Sequence, residues 1–356
     1  MSNGYKKVFV VTVLCFLYLP LTYFFGVKKS AVIYGVEKIT ELPDIKEKSF
    51  KEKQYQPLFE AWWNTHFAFR KNMLKAKNQI YDWMNFGQMH SGINNAVIQG
   101  KQGYLYERFY FNSYSKNCHN IPNSLNKIKD LDRILKKKDM SLFVILAPNK
   151  AVTYSDLIPK RYRFFLGDNC EYYDKLEKEL KKLNIKIFNS QPVVSMMKKS
   201  EKYQPFSKTG THWNHYGAGR VVQEAASFFG WGNIEISDIR TGNKPYSTER
   251  DIANLLNLFV RYKSDEKFYK PVYKKTKSLI GKTVVIGNSF SNEFVRNFID
   301  AGLSDKVYHF ENSPLTSDDI LSVKQSKRII FVYTDLDMVD EDSQFYKKVE
   351  FLLDFF

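Results

Sequence analysis

Residues 283–294 read TVVIGNSFSNEF: an apolar, β-branched run ends in Gly287 and passes through Asn288 and Ser289 into a helical pattern over 290–300. A buried strand, a tight turn and a helix make the repeating unit of a parallel α/β sheet. The alternation continues on both sides of this segment. SLFVILA (141–147) reads as a strand and leads to a charged helix near 171–183 and a short strand IKIF (185–188). NHYGAGRVVQEAASFFG predicts a helix over 214–229, and KVYHF, DDILSVK, RIIFVYT (328–334) and a closing helix complete the pattern. Upstream, 57–85 and 124–138 are helical in pattern. The expected fold class is therefore α/β, a mostly parallel sheet with helices on both faces, in one domain over 58–356.

Ahead of this domain, VFVVTVLCFLYLPLTYFFGV (8–27) is an uncharged run of about twenty residues. At about 1.5 Å per residue it matches the roughly 30 Å hydrocarbon layer of a bilayer. It outlasts the apolar core of a cleavable signal peptide and ends in Lys28-Lys29 with no small-x-small site. A retained anchor over 1–29 is expected, one transmembrane helix in which Pro20 is tolerated. Residues 30–57 are polar and read as a tether. A short N-terminal tail stays in the cytoplasm, which places 30–356 in the periplasm or outside the cell.

The net charge is +16, with Lys6, Lys7, Lys28 and Lys29 flanking the apolar run. Such a charge attracts anions in general. The expected compartment argues against nucleic acid, and lysines on a solvated surface account for most of the excess. Aromatic residues reach 16%; core packing explains most of them, with platforms for sugar rings as the sharper alternative. Cys15 lies in the apolar run, while Cys118 and Cys170 either bridge, as an oxidising compartment permits, or remain two buried thiols. No CxxC or Cys/His cluster marks a metal site.

Two motifs carry chemistry. The strand–turn–helix geometry lifts the Ser289 hydroxyl out of the C-terminal edge of the sheet and sets free N–H groups, that of Ser289 first, beside a developing oxyanion. A Gly-x-Ser turn also serves as an ordinary helix cap. THWNHYGA (211–218) precedes a helix and offers His212, with His215 as competitor, as the base a serine nucleophile needs.

The two motifs, in this order, resemble the alginate O-acetyltransferase family (the AlgX/AlgJ group), whose permuted SGNH-hydrolase-like, flavodoxin-like domain carries Asp-x-His-Trp before Gly-x-Ser. WWNTHFAFRKNML (62–74), GKQGYLYE (100–107) and FVILAPNKAVTYSDLIP (143–159) are similar to further family segments. The resemblance implies Ser289 as nucleophile and His212 as base. The family's acid falls on Gly210, so the third member is expected elsewhere, at Asp251 or Asp335, unless a Ser–His dyad operates. It further implies acetyl transfer to a cell-surface or secreted polysaccharide with no resident cofactor, the acetyl group being brought across by a multi-spanning membrane O-acyltransferase. The rival readings are an acetyl-esterase using the same residues and a non-catalytic polysaccharide-binding scaffold.

Overall fold

The computed structural model describes residues 3–26, 33–35, 41–44, 55–84, 96–117, 121–163, 172–274 and 280–356. By compactness the chain divides into Met1–Ile98 with Ala253–Lys263, and Gln99–Ile252 with Ser264–Phe356. Residues 58–98, read from sequence together with the rest of the domain, fall in the first unit.

That first unit holds the helix Asn3–Tyr18, a 3-10 segment Leu19–Phe25, and the helices Tyr55–His66 and Arg70–Trp83. The single long span expected over 8–27 is a correction. Among the described residues no single helix is long and apolar enough to cross a membrane. Gly4–Cys15 and Leu19–Phe25 pass together by length and composition but meet at 47°. Pro20 supplies the reason: it lacks an N–H and its ring crowds the preceding turn, so the α-helix stops ahead of it. The helix expected over 57–85 is likewise two, parted where Phe69 takes a left-handed φ of 63°. Behind the break, Asn78 Nδ2 donates to the Leu256 carbonyl at 2.8 Å and the Val260 N–H to Gln79 Oε1 at 2.9 Å.

The second unit is built on a sheet. Its strands, following β1 (Val97–Gln99) and β2 (Leu105–Glu107), are β3 (Ser141–Ala147), β4 (Lys186–Asn189), β5 (Ile236–Gly242), β6 (Phe268–Tyr273), β7 (Thr283–Gly287), β8 (Val307–Phe310) and β9 (Arg328–Thr334). Five of them, in the order β4-β3-β9-β7-β8, form one sheet in which every pairing is parallel. The three inner strands are buried along almost their whole length because helices cover both faces. The helix Leu125–Lys137 turns Leu125, Ile128, Leu131 and Leu135 inward at the three- and four-residue spacing of one helical face. The helix His215–Phe228, with Ala218, Val221, Val222, Ala225 and Ala226 buried, packs against Ser291–Asp300. The antiparallel pair β5–β6 stands apart from the sheet.

Candidate active site

β7 ends at Gly287, where a side chain has no room: a Cβ there would lie 2.5 Å from both the Val332 carbonyl oxygen and Ser291 Cβ. Glycine lets the incoming helix settle against the sheet. The Asn288–Ser289–Phe290 turn is then fixed from three sides. Asn288 Oδ1 accepts the Phe290 N–H at 2.9 Å, and Asn288 Nδ2 donates to Asp337 Oδ2 at 2.6 Å. The indole N–H of fully buried Trp213 donates to the Phe290 carbonyl at 3.0 Å. Among the described residues the Ser289 N–H has no acceptor within the chain, which leaves it available to an oxyanion.

Trp213 is also what carries His212 to this turn, where the His212 ring centroid lies 4.7 Å from that of Phe290. His212 Nε2 lies 2.7 Å from Ser289 Oγ, and His212 Nδ1 lies 2.7 Å from Asp251 Oδ2. A carboxylate only accepts, so Nδ1 carries the proton and the Nε2 lone pair faces the serine O–H. Asp251 is itself held by the N–H groups of Thr211 and Ile252, which donate to Oδ1 at 2.8 and 2.7 Å. Of the two acids read from sequence, the structure brings Asp251 to the histidine. Asp335 is a correction: it is fully buried at the head of the helix Asp335–Val339 and does not line the cleft. Asp337, two residues on, does. It accepts from Asn288 and from the Thr334 hydroxyl at 2.6 Å, and burial raises its pKa despite these donors.

Gly210 cannot hold the acid. A Cβ at that position would sit 2.7 Å from the Glu249 carbonyl oxygen and 2.8 Å from its carbon, because the main chain leading to Asp251 crosses there. Glycine at 210 and aspartate at 251 are one arrangement. The 208–210 loop is clamped from behind by Lys150, whose buried ammonium donates to the carbonyls of Lys208 and Gly210 at 2.9 and 2.6 Å. It also lies 5.4 and 5.6 Å from the ring centroids of Tyr104 and Tyr106. Burial lowers its pKa to about 7, although Glu266, Asp251 and Glu107 pull the other way. The GKQGYLYE and Pro-x-Lys segments thus converge on the loop that presents His212.

These groups open on a cleft of about 330 Å³ lined by Ser289, His212, Glu107, Phe109, Tyr110 and Asp337 among others. Burial raises the Glu107 pKa, and the nearby Asp251 adds to the effect. His215 and His309 do not line the cleft. His215 Nδ1 pairs with Glu293 Oε2 at 2.6 Å in the interior. His309 Nε2 lies 2.7 Å from the hydroxyl of Ser291, which donates to the Asn288 carbonyl at 2.6 Å and has no exposed surface; burial lowers the His309 pKa. Among the described residues no group of three or more His, Cys, Asp and Glu side chains is placed to hold a metal ion. Cys118 and Cys170 lie outside the described residues.

Residues 97–312 match the family described as SGNH hydrolase-like domain, acetyltransferase AlgX. The chain belongs to this family. Its fold is similar to the O-acetyltransferase domain of Pseudomonas putida AlgJ, with a TM-score of 0.50, 18% identity, and coverage of 73% of this chain and 99% of that one. It is also similar to Pseudomonas aeruginosa AlgX, with a TM-score of 0.50, 14% identity, and coverage of 72% and 66%. At these identities the likeness is one of fold. Comparison with curated protein sequences gives no match.

Sequence reasoning placed Ser289 and His212 but not Glu107 or Asp337. A signal for Asp337 was present: Thr334-Asp-Leu-Asp337 has capping-box spacing, and both capping hydrogen bonds form.

Proposed function

We propose that the chain is an O-acetyltransferase that acts on the hydroxyl groups of a cell-surface or secreted polysaccharide through an acyl-enzyme on Ser289. The observation that carries this reading is the Ser289–His212–Asp251 relay opening on the cleft, with both hydrogen bonds at 2.7 Å. His212 Nε2 takes the Ser289 proton as Oγ attacks the acetyl carbonyl, and Asp251 holds the ring in the tautomer that makes this possible. The oxyanion collects its hydrogen bond from the Ser289 N–H. Collapse expels the donor's leaving group, which takes the proton back from His212. A sugar hydroxyl then repeats the sequence in reverse: its proton goes to Nε2, its oxygen bonds the acetyl carbon, and Ser289 Oγ leaves reprotonated.

Membership in the acetyltransferase family supports the reaction class. The apolar segment 8–27, bent as it is, serves as a membrane anchor, with the catalytic unit on the external side. An external site has no direct access to cytoplasmic acetyl donors, which calls for a multi-spanning acyltransferase as partner.

The test uses the full chain and a chromogenic acetyl ester, with and without an oligosaccharide. Ester turnover that depends on Ser289 and is accelerated by the acceptor, with acetylated sugar as product, is the expected result. Turnover to free acetate that ignores the acceptor would make it an esterase, and no Ser289-dependent turnover would leave a scaffold.

A further inference from the structure

The chain carries +16, yet the cleft is lined by carboxyl groups. Glu107, Asp337 and Asp340 line it, and no Lys or Arg does so among the described side chains. The buried cation closest to the catalytic loop, Lys150, points away, with its ammonium spent on the carbonyls of Lys208 and Gly210. The other lining groups are aromatic or neutral, and Phe109 exposes 62% of its surface.

We infer that the acceptor is a glycan whose acetylated sugar bears no anionic group, a neutral or amino sugar rather than a uronate. This rests on the acetyl-transfer reading above. Three features of the cleft carry it. A hydroxyl both donates and accepts, so a neutral sugar satisfies a half-buried carboxyl such as Glu107 or Asp337 in either protonation state. The carboxylate of a uronate only accepts, and it would sit beside Asp340 with no Lys or Arg lining the cleft among the described side chains. Phe109 offers an exposed flat apolar surface to the C–H face of a sugar ring.

In the transfer, the bond between the sugar oxygen and the acetyl carbon forms as the Ser289 Oγ–carbon bond breaks. The sugar's proton reaches Oγ through His212 Nε2. A carboxylate on that sugar is brought beside the acidic wall in this step, where like charges raise the barrier.

The experiment gives the full chain 4-nitrophenyl acetate as donor and a matched pair of acceptors, a β-1,4-linked glucose tetramer and the corresponding glucuronic acid tetramer. Acetylated products are measured by mass spectrometry at low and high salt. We expect the neutral tetramer to be acetylated at least ~10-fold faster at low salt. The gap should narrow as salt screens the wall, and Asp340→Asn should shrink the ratio by ~3-fold. Equal or faster acetylation of the glucuronic tetramer, with Ser289-dependent transfer intact, would overturn the inference and leave the transferase reading standing. Transfer to neither acceptor, alongside Ser289-dependent ester hydrolysis, would overturn the transferase reading and this inference with it.

Discussion

His212 and His215 stand three positions apart, and each holds a carboxylate against Nδ1: Asp251 at 2.7 Å and Glu293 at 2.6 Å. They part company at the other nitrogen. Nε2 of His212 meets Ser289 Oγ at the cleft, whereas Nε2 of His215 is buried with no hydrogen-bond partner among the described residues and Asp300 Oδ2 3.9 Å away. The cause is local. His212 precedes the helix and is carried to the Ser289 turn by Trp213, while His215 is the first residue of the helix His215–Phe228 and faces the interior. A histidine–carboxylate pair supplies orientation; chemistry needs a nucleophile on the free nitrogen and a cavity in front of it.

Swapping the two histidines' fates is the strongest way to break this contrast. His212→Ala should lower acetyl transfer by ~10⁴-fold or more, as should Ser289→Ala, and the double variant should be scarcely worse than either because the residues act as one unit. His215→Ala should keep activity per folded molecule within ~3-fold. It should also lose about 3 kcal/mol of stability in denaturant unfolding, because Glu293 is left buried and unpaired. Equal catalytic losses in both folded variants would erase the distinction.

The next effect concerns the acid. Asp251→Asn should cost ~10³- to 10⁴-fold in kcat by offering His212 the wrong hydrogen-bond pattern, with little change in folding. Restoring an acid at 210 should not help. Gly210→Asp forces a Cβ to 2.7 Å from the Glu249 carbonyl oxygen, so it should lower activity in the wild type and fail to rescue Asp251→Asn. Rescue to wild-type kcat would show that the loop tolerates the family's arrangement.

Glu249 links the two histidines, since its Oε1 accepts the His215 N–H at 3.0 Å and its main chain passes behind Gly210. Burial raises its pKa from 4.5 to about 7. The folded state therefore holds this proton more tightly than the unfolded one. The stabilisation is complete below about pH 4.5 and is lost as pH rises to about 7, by up to ~3 kcal/mol. Glu249→Gln should remove that slope, read as the urea midpoint at pH 4.5 and pH 7; parallel profiles would place the carboxyl in water. The smallest effect belongs to Ser291→Ala, which removes two buried hydrogen bonds, to the Asn288 carbonyl and to His309, about 2 kcal/mol, and should retain most activity.

Much of this was legible before the fold. β3, β7 and β9 announce themselves because strands covered on both faces need continuous apolar runs. β5 and β6 do not: ISDIRTG has no buried position, FYKPVY contains Pro271, and the two meet only across a long stretch of chain. Ser289 and His212 stood out because strand–turn–helix geometry and a His-Trp pair are local signals. The choice between Asp251 and Asp335 was not, because both begin short helices and only tertiary contact brings one of them to an imidazole. Phe69 parts two helices with no proline or glycine to mark the break. Glu107 and Lys150 lay inside recognised segments, but their roles depend on burial against a loop about a hundred residues downstream for the one and about sixty for the other.

The central claim is that Ser289 carries the acetyl group between donor and acceptor. The most direct measurement is to mix the full chain with 4-nitrophenyl acetate, quench in acid, digest, and locate the acetyl group by mass spectrometry. A single acetyl on Ser289 is predicted, accumulating without acceptor, cleared when a neutral oligosaccharide is added, and missing from Ser289→Ala. An acetyl group on another residue, or undiminished labelling of Ser289→Ala, would contradict the account.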